Sequence, residues 1–184
     1  MSRLTAINPE QSTGKAKDLF QGIQKKLGFV PNMMRTMGNS PSLLESYLNF
    51  SDTLGKGSIG SKLGEQIALV IAEQNGCEYC LSAHSAIGKM VGLTDPIINA
   101  TRNGDPINSK TDAALAFSKA VAKKRGRVSD ADMDAIKEAG FTEGEIVEIV
   151  GHVALNILTN YINNAAGTEI DFPKISLLKE PSLS

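Results

Sequence analysis

One short stretch of the sequence holds two thiols, an imidazole and a carboxylate at a spacing that suits redox chemistry. Glu65 is followed after eleven residues by Cys77, after two more by Cys80, and after three more by His84. A thiolate is a strong nucleophile and a metal ligand, and a lone Cys-x-x-Cys unit is compatible with both roles. A neighbouring imidazole and carboxylate can move the protons that a nucleophilic thiol requires, so this spacing favours a redox thiol site.

The two cysteines and the histidine are expected on one face of a helix. Gly76 ends the preceding helix, so the next helix begins near Cys77 and carries Cys80 in its first turn. Residues three and four apart are neighbours on a helix surface, which places both cysteines and His84 on one stripe. Free N–H groups and the positive end of the dipole at a helix start favour a thiolate there.

Glu65 is expected to act through His84 and not directly on a cysteine. It lies eleven residues before Gly76, or about 16 Å along its helix. His84 lies eight residues after Gly76, or about 12 Å along the next helix, whereas Cys80 is only about 6 Å along it. In an antiparallel pair Glu65 is therefore level with His84. The predicted proton path runs from Glu65 through His84 to Cys80, with the carboxylate orienting the imidazole.

Helices are the predicted elements throughout the chain. Apolar residues recur with the 3.6-residue period, Gly, Ser and Pro mark the ends, and no segment has the alternating pattern of a strand. Ser61 is expected to cap its helix, and Thr142-x-x-Glu145 is a capping box. The expected helices are 13–27, a short one around 33–37, 41–54, 61–74, 78–91, 94–104, 109–125, 130–139 and 143–166.

The length and pattern predict one all-α domain over residues 1–184, with an extended C-terminal tail at 171–184. We expect that tail to reach a neighbouring subunit. The long helix 143–166 is apolar around most of its circumference, and a chain of this size covers about one broad face of such a helix. The sequence therefore predicts a homo-oligomer.

The composition excludes several classes of partner. Nineteen basic and twenty acidic residues leave a net charge of -1, without the basic excess typical of nucleic-acid-binding proteins. No stretch approaches the roughly 20 apolar residues of a membrane span, and the start lacks the apolar run of a secretory signal. The only two cysteines form one pair, unlike a secreted disulfide scaffold. A reducing cytoplasm is the expected location.

The pattern Glu-x11-Cys-x2-Cys-x3-His resembles the signature of the alkylhydroperoxidase D core, within the carboxymuconolactone decarboxylase-like superfamily. The core of the resemblance covers about residues 42–125. The Cys-Glu-Tyr-Cys at 77–80, with similarities at 29–32 and 159–161, is most like a peroxidase-related branch of that group. The resemblance implies an alkylhydroperoxidase D-like multi-helix bundle, with the Cys-x-x-Cys pair at the N-terminus of a core helix.

The resemblance also implies a thiol-dependent peroxidase. Cys80 would attack a hydroperoxide and Cys77 would resolve the oxidised product, while Glu65 and His84 relay protons. Tyr79 stands where some members carry a histidine and is a possible neighbour of the site. A dithiol reductant protein of unknown identity would complete the cycle, with no bound cofactor or metal. The resemblance also implies an assembly of three or six chains.

Two other functions stay open at this point. A carboxymuconolactone decarboxylase-like enzyme of aromatic degradation would share the fold, although such members generally lack the cysteine pair. A redox-sensing or zinc-stabilised interaction protein would use two thiolates, an imidazole and a carboxylate as ligands. His152 is expected to be a core or interface histidine. Asn160 and Tyr161 are candidates for a place near the site that the sequence does not assign.

Overall fold

All the regular secondary structure is helical in the computed structural model, which describes residues 2–178. Within that range there is no strand, so the all-α prediction is confirmed. Each predicted helix is present with its ends within about two residues of the expected positions. After a short 3-10 helix at Pro9–Gln11, the helices are α1 (Gly14–Leu27), α2 (Asn32–Met37), α3 (Pro41–Leu54), α4 (Gly60–Gln74), α5 (Glu78–Met90), α6 (Asp95–Asn103), α7 (Ser109–Lys123), α8 (Asp130–Glu138) and α9 (Glu143–Ala166).

The start of α4 differs from the sequence-based prediction. The helix begins one residue earlier, and Ser61 is not its cap, because the N-cap position is Ile59, which forms no side-chain cap bond. A carboxylate from α9 takes that role: Glu148 Oε2 accepts the backbone N–H groups of Ser58 at 2.6 Å and Ile59 at 3.1 Å. Glu148 lies about 90 residues further along the chain, so the sequence around Ser61 does not identify it as the capping residue.

The central helix α4 is buried on two opposite sides. Leu69 and Ala72 belong to a cluster formed with α1, α2, α3, α5 and α6. Ile67, Val70 and Ile71 belong to a second cluster formed with α7, α8 and α9. Because close-packed side chains on both sides resist displacement, α4 is a rigid support for any residue that it carries.

The described part of the C-terminal tail packs on its own chain, and the predicted contact with a neighbouring subunit stays a prediction. Asp171 Oδ2 accepts the N–H of Asn32 at 2.6 Å, and the N–H of Ile175 donates to Ser82 Oγ at 3.0 Å. The tail and the helices thus satisfy each other's backbone N–H groups within one chain. Residues 179–184 of the predicted tail lie outside the described range.

One side of α9 is exposed in the single chain. Val147 is 71% exposed and Tyr161 is 60% exposed, and Val150 lies on the same side. Within one chain α9 is covered on the sides that face α2, α3, α4, α5 and α7, and its burial by a partner subunit stays a prediction. Among the helices of residues 2–178, none combines the length and apolar character needed to cross a membrane.

Candidate active site

The turn between α4 and α5 sets the positions of the two cysteines. Gly76 has a φ of 62°, a conformation that glycine adopts without steric cost, and it reverses the chain between the helices. Cys77 is then the N-cap of α5, and its Sγ accepts the backbone N–H of Cys80 at 3.4 Å. Both thiols are free, and the residues are only 0% and 2% exposed. The pair is preformed but shielded from bulk solvent.

The surroundings of Cys80 favour its thiolate. Burial by itself would raise the pKa of this thiol. A hydrogen bond from Cys77 and the positive charge of His84 outweigh that effect and lower the pKa of Cys80 from 9.0 to about 6. The side-chain amides of Asn163 and Asn160 contribute to the same lowering. Asn163 Nδ2 donates directly to Cys80 Sγ at 3.2 Å.

Cys77 has the opposite tendency. Its hydrogen bond to Cys80 and its burial both raise the pKa of the Cys77 thiol, so it stays protonated when Cys80 is ionised. The backbone N–H at the helix start faces Cys77 and not Cys80, which differs from the sequence-based expectation that the helix terminus itself stabilises the reactive thiolate. One thiolate and one adjacent thiol are the starting state for a two-step oxidation.

The structure brings Glu65 and His84 together from α4 and α5. Glu65 Oε2 is 2.8 Å from His84 Nδ1, and the two side chains are 18% and 21% exposed. Burial disfavours the imidazolium, but the charge and hydrogen bond of Glu65 prevail and raise the pKa of His84. Since a carboxylate only accepts, Nδ1 carries a proton. Nε2 is then the nitrogen that can exchange a proton with a bound molecule.

An apolar pocket of about 270 Å³ reaches both Cys80 and His84. The Phe172 ring of the tail packs edge-on against Tyr79 at 5.9 Å and against Phe29 at 5.8 Å, forming an aromatic wall. The aliphatic residues that line it are Leu27, Pro31, Met33, Met34, Ala83, Ile87 and Met90. A pocket of this size and lining suits a small apolar molecule beside the thiolate.

A second, smaller cavity of about 130 Å³ lies on the Glu65 side of His84. It is more polar than the first, and His152 lies in its wall together with Glu65. His84 and Tyr47 line both cavities, so they form part of the boundary between them. Burial raises the pKa of Tyr47 to about 12, which keeps its phenol protonated.

The remaining sequence candidates have different places in the structure. Tyr79 is buried in the pocket wall, and its hydroxyl accepts the N–H of Met33 at 3.1 Å. His152 is half-buried beside the polar cavity and not in an apolar core, and burial lowers its pKa. Asn160 is fully buried near Cys80, whereas Tyr161 is largely exposed.

Two residues close to the site went unrecognised in the sequence. Asn163 contacts Cys80, and Tyr47 borders both cavities. The signal that could have identified Asn163 is a polar residue at helical spacing from Asn156 and Asn160 along an otherwise apolar helix. Among residues 2–178, no three or more histidine, cysteine or carboxylate side chains are grouped so that they could hold a metal ion.

The aromatic wall yields a prediction that does not depend on the function. Phe172→Ala removes one side of the pocket. N-phenylmaleimide should therefore label Cys80 severalfold faster in this variant than in the unmodified protein. Leu178→Ala is the matched control, because Leu178 belongs to the same tail but does not line the pocket. Mass spectrometry of the labelled peptide measures the rate. Equal rates in all three proteins would show that the reagent reaches Cys80 by another path.

Comparisons with known proteins agree with this architecture. Residues 41–124 match the carboxymuconolactone decarboxylase family, and that segment contains all four residues of the Glu-Cys-Cys-His pattern. No curated protein sequence matches the chain.

Three solved structures are similar over nearly the whole fold. An alkylhydroperoxidase AhpD core protein, an uncharacterized peroxidase-related protein from Ralstonia eutropha JMP134, is 25% identical, with 92% of each chain covered and a TM-score of 0.84. An uncharacterized peroxidase-related protein from Silicibacter sp. TM1040 is 21% identical, with 90% of this chain and 91% of that chain covered and a TM-score of 0.78. The debrominase Bmp8 is 25% identical, with coverage of 85% and 86% and a TM-score of 0.73. The predicted resemblance and fold are confirmed.

Proposed function

We propose that this chain, which combines a carboxymuconolactone decarboxylase family segment with an alkylhydroperoxidase D-like fold, is a thiol peroxidase for organic hydroperoxides. One observation carries the proposal: the sulfur of Cys80, whose pKa is lowered, lies in the wall of an apolar pocket beside the protonated thiol of Cys77. A thiolate beside a second thiol is what peroxide reduction requires, and an apolar pocket favours an organic substrate.

In the first step the Cys80 thiolate attacks the terminal oxygen of the hydroperoxide. The O–O bond breaks, an S–O bond forms, and the sulfur becomes a sulfenic acid as the alkoxide leaves. The alkoxide needs a proton, and the His84 imidazolium, whose charge Glu65 maintains, is the acid in the same pocket. The product is an alcohol, and two electrons have passed from sulfur to oxygen.

In the second step Cys77 condenses with the sulfenic acid. A disulfide forms, and the sulfenic hydroxyl leaves as water after it takes the Cys77 proton. The two cysteines are three residues apart in the first turn of α5, so a short movement of one side chain joins them. A dithiol then reduces the disulfide by exchange and returns both thiols.

The test is consumption of cumene hydroperoxide with dithiothreitol as the reductant. Without the reductant, each chain should reduce one hydroperoxide and lose two free thiols, with the alcohol as product. Hydrogen peroxide, which makes no apolar contacts, should react more slowly at equal concentration. A chain that retains both thiols under these conditions would contradict the proposal.

The same thiol count separates the two alternatives that the sequence left open. A decarboxylase-like enzyme would turn over its substrate without loss of thiols. A zinc-stabilised interaction protein would yield about one zinc per chain in metal analysis and would unfold with a strong chelator. A redox sensor would lose its thiols but would not reduce excess hydroperoxide catalytically when dithiothreitol is present.

Reductive debromination is a second candidate, favoured by the aromatic wall of the pocket and by the similarity to a debrominase. Here the Cys80 thiolate would attack the bromine of an aryl bromide, so that an S–Br bond forms as the C–Br bond breaks. His84 would supply a proton to the ring carbon. Cys77 would then displace bromide from the Cys80 sulfur as the disulfide forms. Two thiols and one aryl bromide thus give a disulfide, the debrominated ring and HBr. Release of bromide from tribromophenol, with dithiothreitol present, would support this activity.

We also propose that the exposed side of α9 joins copies of this chain. Large exposed apolar patches are uncommon on monomers, and this side presents Val147, Val150 and Tyr161 along one helix. The arrangement suits a closed, symmetric assembly, with a trimer or hexamer as the expected form.

Sedimentation at micromolar concentration should give a species of several times 19.6 kDa. Val150→Asp places a charge within the contact, so it should shift the protein toward the monomer. Leu4→Asp changes an exposed leucine beside Ala166 at the C-terminal end of α9, about 24 Å along the helix from Val150, and should leave the assembly intact. If the unmodified protein sediments as a monomer, the proposal that the exposed side of α9 joins copies of the chain is contradicted.

A further inference from the structure

The inner side of α9 is polar where it approaches the cysteines. Asn156, Asn160 and Asn163 follow one another at helical spacing, and each is at most 4% exposed. Asparagine is a poor helix former, and a buried amide is costly unless its hydrogen bonds are satisfied. Three buried asparagines on one side of an otherwise apolar helix therefore indicate a role other than helix formation.

The two asparagines nearest the site have incomplete hydrogen bonding. Asn163 donates through Nδ2 to Cys80 Sγ at 3.2 Å, and Asn160 accepts through Oδ1 from Asn75 Nδ2 at 2.9 Å. Asn75 lies in the turn before the cysteine pair, so this bond fixes the orientation of the Asn160 amide relative to the pair. Among the described residues, Asn160 Nδ2 is buried and forms no hydrogen bond, yet the Asn160 amide is near enough to Cys80 to help lower the pKa of that thiol. A donor is therefore held beside the sulfur without a hydrogen bond of its own.

We propose that the side-chain amides of Asn160 and Asn163 form a binding site for the negative charge on Cys80, first as the thiolate and then as the sulfenate. We call these two groups the amide pair. The inference rests on the proposed nucleophilic role of Cys80 and assigns two catalytic residues to it. Asn163 holds the sulfur, and the free N–H group of Asn160 is the donor available to the oxygen that the sulfur gains.

The chemistry of the first step explains why two donors are useful. A thiolate concentrates charge on one atom, which the Asn163 donor and the Cys77 thiol contact. When the sulfur gains an oxygen, an ionised product carries its charge mainly on that oxygen, and a preoriented donor stabilises it without reorganisation. Asn160, tied to Asn75, is such a donor. Stabilising the sulfenate extends the time in which Cys77 can condense with it.

The direct test measures the pKa of Cys80 in the reduced protein, and it requires no substrate. The rate of alkylation by iodoacetamide is measured against pH, and the Cys80 peptide is quantified by mass spectrometry. Asn163→Ala removes a hydrogen bond to a charged group and should raise the titration midpoint by roughly one to two units. Asn163→Asp keeps the shape but sets a carboxylate against the sulfur, so its midpoint should be higher still.

Asn156→Ala is the matched control. It changes the same residue type on the same helix at similar burial, but Asn156 Nδ2 donates to the His152 carbonyl and not to Cys80. Its midpoint should equal that of the unmodified protein. Thermal unfolding of each variant shows whether it is folded, and Asn163→Asp carries the test if Asn163→Ala does not fold.

Asn160→Ala tests the second half of the proposal in a Cys77→Ser background, where the sulfenate cannot be resolved. The oxidised species should be trapped severalfold less by dimedone after equal times, because it is over-oxidised or lost sooner. An unchanged midpoint in Asn163→Ala together with unchanged trapping in Asn160→Ala would overturn the amide pair. A midpoint near 9 in the unmodified protein would instead count against the proposed nucleophile itself.

Discussion

Cys80→Ser abolishes hydroperoxide reduction, whereas Cys77→Ser permits one oxidation of Cys80 and then stops; this is the largest difference that we expect between two variants. The reason is the unequal ionisation of the pair. The pKa of Cys80 is lowered and that of Cys77 is raised, so at neutral pH only Cys80 is a thiolate. In Cys80→Ser the only remaining thiol is that of Cys77, which is buried and protonated and is therefore a poor nucleophile.

Dimedone trapping after one equivalent of cumene hydroperoxide measures this difference. Sulfenate should appear at position 80 in Cys77→Ser and at neither cysteine position in Cys80→Ser. Ser85→Ala is the control, because Ser85 is buried on the same helix and its hydroxyl has no hydrogen-bond partner among the described residues. Trapping mainly at position 77 would reverse the assignment of the two cysteines.

His84→Ala and Glu65→Gln slow the oxidation of Cys80 by roughly 10²- to 10⁴-fold near neutral pH, the usual loss for a general acid–base group. His84 supplies both a positive charge that lowers the pKa of Cys80 and the proton for the leaving alkoxide. Glu65 raises the pKa of His84, so the glutamine variant weakens both effects through the histidine. The rate is measured in a single turnover with excess hydroperoxide.

The pH dependence distinguishes this role from simple damage. Without His84 the pKa of Cys80 rises toward the ordinary thiol value, so thiolate is scarce at pH 6 and becomes abundant only as the pH approaches 9.0. The defect should therefore shrink as the pH rises. Glu73→Gln is the matched control on α4, because Glu73 pairs with Arg102 at 2.7 Å and not with His84. A defect that is constant with pH would show that the variant has lost its structure and not its proton relay.

The local features of this protein could be predicted from its sequence. Apart from the start of α4, which Glu148 of α9 satisfies, helix ends follow from Gly, Ser, Pro and the capping box, because these residues act on the backbone within a few positions of themselves. The meeting of Glu65 and His84 also follows from the sequence. The rise per residue of two helices joined by a tight turn at Gly76 sets which positions come level. The separate roles of the two cysteines were implied by the family resemblance alone.

The unequal chemistry of the two cysteines was decided only by the tertiary structure. The helical spacing of Cys77, Cys80 and His84 does not show which of the two thiols ionises more easily. In the structure, the backbone N–H at the helix start donates to the sulfur of Cys77. Asn163, which donates to the Cys80 sulfur, comes from α9 at a separation of 83 residues. The aromatic wall likewise joins Phe29 before α2 to Phe172 in the tail. Such contacts depend on how packed helices cross. The periodicity within one helix shows which side is buried, but not which other helix packs against that side.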